Sequence, residues 1–267
     1  MDWKKLLQPE NEKPLDRIVD DGGFAAIFRS FACVGDSLSS GEFETLDAEG
    51  NKGYHDLYEY SWGQYMARAM GSSCLNFSRG GMTAREYMDG WALNNGCWDK
   101  KKACQAYIFA MGANDITAAL REGTDLGKMA DVKKDWRENT RSFAGDFAAI
   151  IQRYKEIEPD AFFFLLTMPV CPGDRPQYQA LSDRHQELMK EMGAHFPNTY
   201  VIDLRKYAPV YDAEFEKAFH LNGHLNPAGY ILTAKMVMSY MDFIIRSDMP
   251  AFAEVGLIGT PFVNIKK

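Results

Sequence analysis

The sequence predicts an α/β fold in which a parallel sheet is covered by helices on both faces, and three observations predict it. Short apolar runs bounded by turn residues alternate with longer segments of helical period. One of those runs, Ala161-Phe162-Phe163-Phe164-Leu165-Leu166, has no polar alternation, as a strand buried on both faces requires. Finally, 267 residues with 46% hydrophobic content suffice for one large core. The chain reads as a single domain over 1–267, with 1–27 an N-terminal extension and 246–267 a C-terminal tail.

Taken in order, the runs place five strands at 28–34, 73–77, 105–111, 161–168 and 199–202. Between the third and fourth, Trp136, Thr140, Phe143, Phe147, Ile150, Ile151 and Tyr154 recur at three- and four-residue steps. They form one apolar stripe on a long helix that Pro159 follows. The last long helix opens at Asn226-Pro227, a capping residue followed by proline at the first helical position. It carries Val237, Tyr240, Met241, Ile244 and Ile245 on one face.

Composition excludes several classes of function. A formal net charge of -7 without long blocks of one sign disfavours a nucleic-acid partner or an anionic membrane surface. No apolar run approaches the roughly 20 residues of a bilayer span, and the start has no apolar signal core. As written, the chain is expected in the cytoplasm unless a leader has been removed. The five cysteines contain no C-x-x-C pair, and Cys33, Cys74 and Cys104 read as small buried hydrophobes in a reducing compartment. His220 and His224 stand four apart, but Gly223 and Pro227 interrupt any helix there, so no metal is expected. His55, His185 and His195 read as surface or loop residues. With no Gly-x-Gly-x-x-Gly turn and no Gly-x-x-x-x-Gly-Lys loop, no cofactor is implied, and the lack of Gly-x-Ser-x-Gly argues against an α/β-hydrolase elbow.

An open parallel sheet binds ligands beyond the carboxyl ends of its strands, so those ends matter most. The first is followed by Gly35-Asp36-Ser37-Leu38, a tight turn that would present the Ser37 hydroxyl at a helix N-terminus, where a serine is ordinarily a cap. After the second comes Asn76-Phe77-Ser78-Arg79-Gly80-Gly81, with backbone N–H groups able to approach a ligand. After the third, Gly112-Ala113-Asn114-Asp115 puts an amide at the same edge, where it can donate to an oxyanion or simply cap a helix. Late in the chain, Asn222-Gly223-His224-Leu225-Asn226-Pro227 sets His224 just ahead of the final helix, within reach of the sheet edge as a general base.

In this order, Ser, Gly, Asn, His, the four segments resemble the sequence blocks of the SGNH/GDSL hydrolase family over roughly 28–245. Gly-Asp-Ser-Leu would arise by chance in a chain this long on the order of once in several hundred, and Gly-x-Asn-Asp adds specificity. The resemblance implies a flavodoxin-like three-layer α/β/α sandwich with a central five-stranded parallel sheet. It further implies a serine esterase acting on a small-molecule ester, without a cofactor or metal. Ser37 would be the nucleophile and His224 the general base, with the backbone N–H groups of Ser37 and Gly81 and the Asn114 amide as the oxyanion hole. Insertions are expected around 42–60 and 91–102. Their aromatic residues Tyr54, Trp62, Trp91 and Trp98, with His55, could wall a pocket for a small or carbohydrate-linked acyl group or pack in the core. Tyr54 and Arg79 are candidate substrate contacts, a surface ion pair being the other use for Arg79.

One position departs from the pattern. The family's aspartate three residues before its histidine is here Leu221. A main-chain carbonyl near Leu221 or Asn222 is the favoured partner for His224. Asp212, Glu214 or Glu216 could fold back instead, or a Ser–His dyad could work alone. The departure also leaves a second reading, a catalytically impaired binding module for an acylated or glycan ligand.

Overall fold

The computed structural model describes residues 3–264. Its main sheet has five parallel strands: β1 (Ser30–Gly35), β4 (Ser73–Ser78), β5 (Ala106–Ala110), β6 (Phe162–Leu166) and β7 (Thr199–Ile202). A two-stranded hairpin, β2 (Glu42–Leu46) with β3 (Lys52–Asp56), stands between β1 and β4 in the chain. The sheet order is β4-β1-β5-β6-β7, so the direction of strand addition reverses between β1 and β5. Counted among the five parallel strands alone, this is the 2-1-3-4-5 order of flavodoxin-like folds, whose crevice opens at that reversal.

Alternation along the strands assigns successive residues to two separate cores. Ala32, Val34, Tyr107, Phe109, Phe163 and Leu165 point to one face, where α2 (Ala113–Glu122), α3 (Phe143–Ile157) and α4 (Pro176–His195) cover them. Phe31, Cys33, Ala106, Ile108, Phe162 and Phe164 point to the other, beneath α1 (Trp62–Met70) and α6 (Pro227–Ser247). The three-layer sandwich and its five strands are as predicted.

Several details differ from the sequence reading. The long helix starts at Phe143 because Ser142 caps it, accepting from the Gly145 N–H at 3.2 Å. Trp136 belongs to a separate 3-10 turn, and its ring is reached by the Arg153 guanidinium at 4.8 Å, so its part in the stripe is a tertiary contact. Helix α4 was not anticipated. His185, expected at the surface or in a loop, is fully buried on α4, whereas His55 and His195 are exposed. Trp62 is buried against the sheet, and Trp98 packs beside Tyr87 and Tyr154 in the opposite core.

The flanking segments pack on the α6 side. The Phe24 N–H donates to Asp242 at 2.8 Å, and Arg246 bridges Glu12 and Asp242 from a nearly inaccessible position. Phe252, Val255 and Ile258 of the predicted tail join the same core. The outermost parts of the predicted extension and tail, 1–2 and 265–267, lie outside the described residues. Helix α6 is the one described helix long and apolar enough to cross a bilayer, against the expectation of no such run, but most of it is buried within the fold.

Candidate active site

The carboxyl ends of β4, β1 and β5 finish on one row, where Gly35 pairs with Ser78 on one side and Ala110 on the other. Ser37, Gly81 and Asn114 follow that row by two, three and four residues, so the three turns are brought to one edge of the sheet. At the first turn Asp36 is extended and caps the short helix Ser37–Ser40, its carboxylate accepting from the Leu38 N–H at 3.2 Å. Ser37 is left at the first helical position, half-exposed, with its hydroxyl and N–H unbonded to any described residue. Gly35 has no room for a side chain, because a Cβ there would overlap the Ser39 hydroxyl.

The second turn needs glycine for backbone geometry. Gly81 has φ 70°, with open space where a side chain would stand, and its N–H has no partner among the described residues. At the third turn Asn114 opens α2, and its amide donates to Asp36 at 3.4 Å. Asp115 ties the two turns together by accepting from the Ala84 N–H at 2.9 Å. Behind the third turn the His185 ring donates from Nε2 to the Met111 carbonyl at 2.9 Å, and burial holds this histidine down to about 4, hence neutral. Burial likewise pushes the carboxyls of Asp36 and Asp115 up to about 7.

His224 arrives on a second hairpin, β8 (His220–Leu221) with β9 (His224–Leu225), preceded by α5 (Ala213–Phe219) and turned by Asn222 at φ 55°. Asn226 then caps α6, accepting from Gly229 at 3.0 Å, as predicted. Among the described residues no hydrogen bond joins the His224 ring to Ser37. Its Nε2 lies 3.1 Å from a carboxylate oxygen of Glu42, and its Nδ1 lies 3.5 Å from Glu44. The Glu42 carboxylate in turn occupies the space a Cβ at Gly80 would need, which sets His224, Glu42 and the second turn side by side.

This arrangement corrects the expectation for the group behind His224. No main-chain carbonyl bonds the ring among the described residues. Leu221 is cross-strand from His224 and 43% exposed, while Asp212 is used as the cap of α5 and Glu214 and Glu216 are exposed. Two glutamates from the β2–β3 hairpin face the ring instead. The sequence reading missed both, although the turn-rich stretch Asp47–Asn51 between two short runs is a hairpin signal.

Tyr54 is cross-strand from Glu44, and its ring meets the His224 ring edge-on at 5.9 Å, so this candidate stands at the site. Arg79 is turned to Glu86, 3.2 Å away, and to the Gly80 carbonyl. Beside the first turn an apolar cavity of about 100 Å³ is lined by Asp36, Leu38, Trp62, Met111, Met168 and Tyr211, among others.

Two unbonded N–H groups, an amide and a hydroxyl at the strand reversal, with an imidazole nearby, form the layout of an acyl-transfer site. The model of the GDSL-like lipase/acylhydrolase family matches residues 33–232, which include all four turns. The chain belongs to that family. It is accordingly a hydrolase acting on ester bonds. Among solved structures, the hydrolase is similar to a family two carbohydrate esterase from Clostridium thermocellum in complex with cellohexaose. That likeness has a TM-score of 0.57 at 13% identity, over 84% of this chain and 65% of the esterase's own length. A carbohydrate esterase family 2 enzyme with a carbohydrate binding domain, from Corynascus thermopiles (Myceliophthora fergusii), gives 0.55 at 13%, over 85% and 67%. A lipase from a goat rumen metagenome gives 0.53 at 16%, over 79% and 96%. At these identities the likeness establishes the fold of the hydrolase. No curated protein matches the chain.

Proposed function

We propose that this hydrolase cleaves the carboxylic ester of a small acyl group, on a small or carbohydrate alcohol, through an acyl-enzyme on Ser37. The carrying observation is the meeting of three chain-distant turns at the strand reversal, with the N–H groups of Ser37 and Gly81 both unbonded among the described residues. In this reading the Ser37 oxygen attacks the carbonyl carbon while its proton passes to His224. The tetrahedral oxyanion is held by those two N–H groups and the Asn114 amide. Collapse expels the alcohol, which takes the proton back from His224, and a water molecule then releases the acid by the same steps.

The size of the apolar cavity beside Leu38 supports a short acyl group. About 100 Å³ is well below the ~300–1,000 Å³ of pockets for drug-sized ligands. A carbohydrate alcohol is supported by the similar carbohydrate esterases, one of them in complex with cellohexaose. For the base to act, Nε2 must exchange the Glu42 carboxylate for the Ser37 hydroxyl. Catalytic hydrogen bonds commonly form only once substrate is bound.

The Glu42 contact also favours a second reading, a site that binds acylated ligands without turning them over. A serine-directed fluorophosphonate distinguishes the two, since folded protein that resists labelling would support the binding module. For the hydrolase, Ser37→Ala should abolish release of p-nitrophenol from p-nitrophenyl acetate and of acetate from acetylated sugars. Full activity in that variant would refute the mechanism. Long-chain esters turned over as fast as acetate would refute the short acyl group.

A further inference from the structure

We propose that Glu44 is the positioning residue for His224, taking over from the hairpin inserted after the nucleophile turn the role that Leu221 cannot fill. This rests on the reading of His224 as the general base. The Nδ1 atom of His224 is buried and has no hydrogen bond among the described residues, and the carboxylate facing it is Glu44 at 3.5 Å. A buried N–H without an acceptor is costly, and a shift of a few tenths of an ångström would satisfy it.

The surroundings of Glu44 are built to hold an ionised carboxylate at that point. Its side chain is buried, and Lys52 reaches it at 2.7 Å, holding the carboxyl below the usual range. The two hairpins are joined at the same place, with the Asn222 amide donating to the Glu44 carbonyl at 2.8 Å. At Gly223 a Cβ would stand 2.6 Å from the Glu44 carboxylate, so the turn closes tightly onto it. Glu42 cannot serve in the same way. It sits on Nε2, the nitrogen that must turn to Ser37, so it is a contact to be displaced while Glu44 supports the ring from behind.

An acceptor on Nδ1 fixes the ring with its Nε2 lone pair toward the nucleophile and stabilises the imidazolium formed during attack, and its loss lowers kcat far more than it alters KM. Wild type, Glu44→Gln and Glu44→Asp should therefore be compared on p-nitrophenyl acetate, with far-UV circular dichroism as the check on folding. Glu44→Gln should lose roughly 10²- to 10⁴-fold in kcat with KM little changed, and Glu44→Asp should recover part of the loss. A folded Glu44→Gln enzyme with wild-type kcat would overturn the assignment.

Proton–nitrogen NMR of the wild type, with the signal assigned by its loss in His224→Asn, gives a readout independent of turnover. A downfield proton on Nδ1 is expected, and a bare Nδ1 would overturn the proposal even if Glu44→Gln fails to fold. Failure of the hydrolase reading is a different result. There the wild type neither hydrolyses esters nor takes a fluorophosphonate, while the NMR signal still decides the place of Glu44.

Discussion

At the scale of single residues, the site gathers groups that a core ordinarily excludes. Asp36 and Asp115 are buried beside Ser37 and the third turn, each with few donors, and burial raises both carboxyls to about 7. One oxygen of Asp115 receives the Ala84 N–H, while the other is buried without a hydrogen bond among the described residues. An acid whose folded value lies above its unfolded one binds protons more tightly in the native state, so its contribution to stability falls as pH rises between the two values. For Asp115 that window runs from about 4 to about 7. Asp115→Asn keeps an acceptor for Ala84 and cannot ionise. The variant should therefore gain on the wild type as pH is raised from 4.5 to 8, by an amount on the order of a few kcal/mol in thermal or urea unfolding. A gap that stays constant or shrinks would contradict an ionising, desolvated Asp115.

At the scale of elements, the turns at Ser37, Gly81 and Asn114 were legible because each follows a strand of the main sheet and carries residues with a local mechanism. Glycine supplies positive φ at Gly81 and Gly112, aspartate caps the helix behind Ser37, and Asn226-Pro227 starts α6. The elements that complete the site were not legible, since β2–β3 and β8–β9 meet through residues 178 apart in the chain, the Asn222 amide donating to the Glu44 main-chain carbonyl. Helix α4 also escaped notice. Its buried positions include Ser182 and His185, so its inner face does not read as apolar. That inner face reaches the third turn through the His185 ring. Gly112 has φ 137°, and a Cβ there would stand 2.5 Å from the His185 ring. Gly112→Ala should lower stability by about 1–3 kcal/mol through backbone strain, with added loss from the displaced ring. Because Asn114 follows two residues later, kcat on p-nitrophenyl acetate should fall as well. An Ala variant with wild-type melting and turnover would show that the turn tolerates a side chain.

At the scale of the whole molecule, the sheet separates stability from chemistry. The turns gather at the carboxyl ends of the strands, while Phe252 from the C-terminal segment closes the opposite end, stacking on Phe162 at 4.7 Å and close to Phe28 and Tyr200. Phe252→Ala should cost about 3–5 kcal/mol in urea unfolding through lost burial and the cavity left behind. Turnover of the remaining folded enzyme should be unchanged, and a lost kcat at conditions of full folding would argue against this division. The layered α/β class, the five parallel strands, the order of the four turns and the start of α6 were legible from the amino-acid sequence. All of these rest on periodicity and local backbone chemistry, which are properties of neighbouring residues. Packing between distant segments sets His224 against Glu42 and Glu44 with Tyr54 at its flank, whereas it turns Arg79 to Glu86. It also makes His185 a buried support for the third turn. Those pairings join distant segments through packing and the burial of charge, and no pattern local to either partner encodes them.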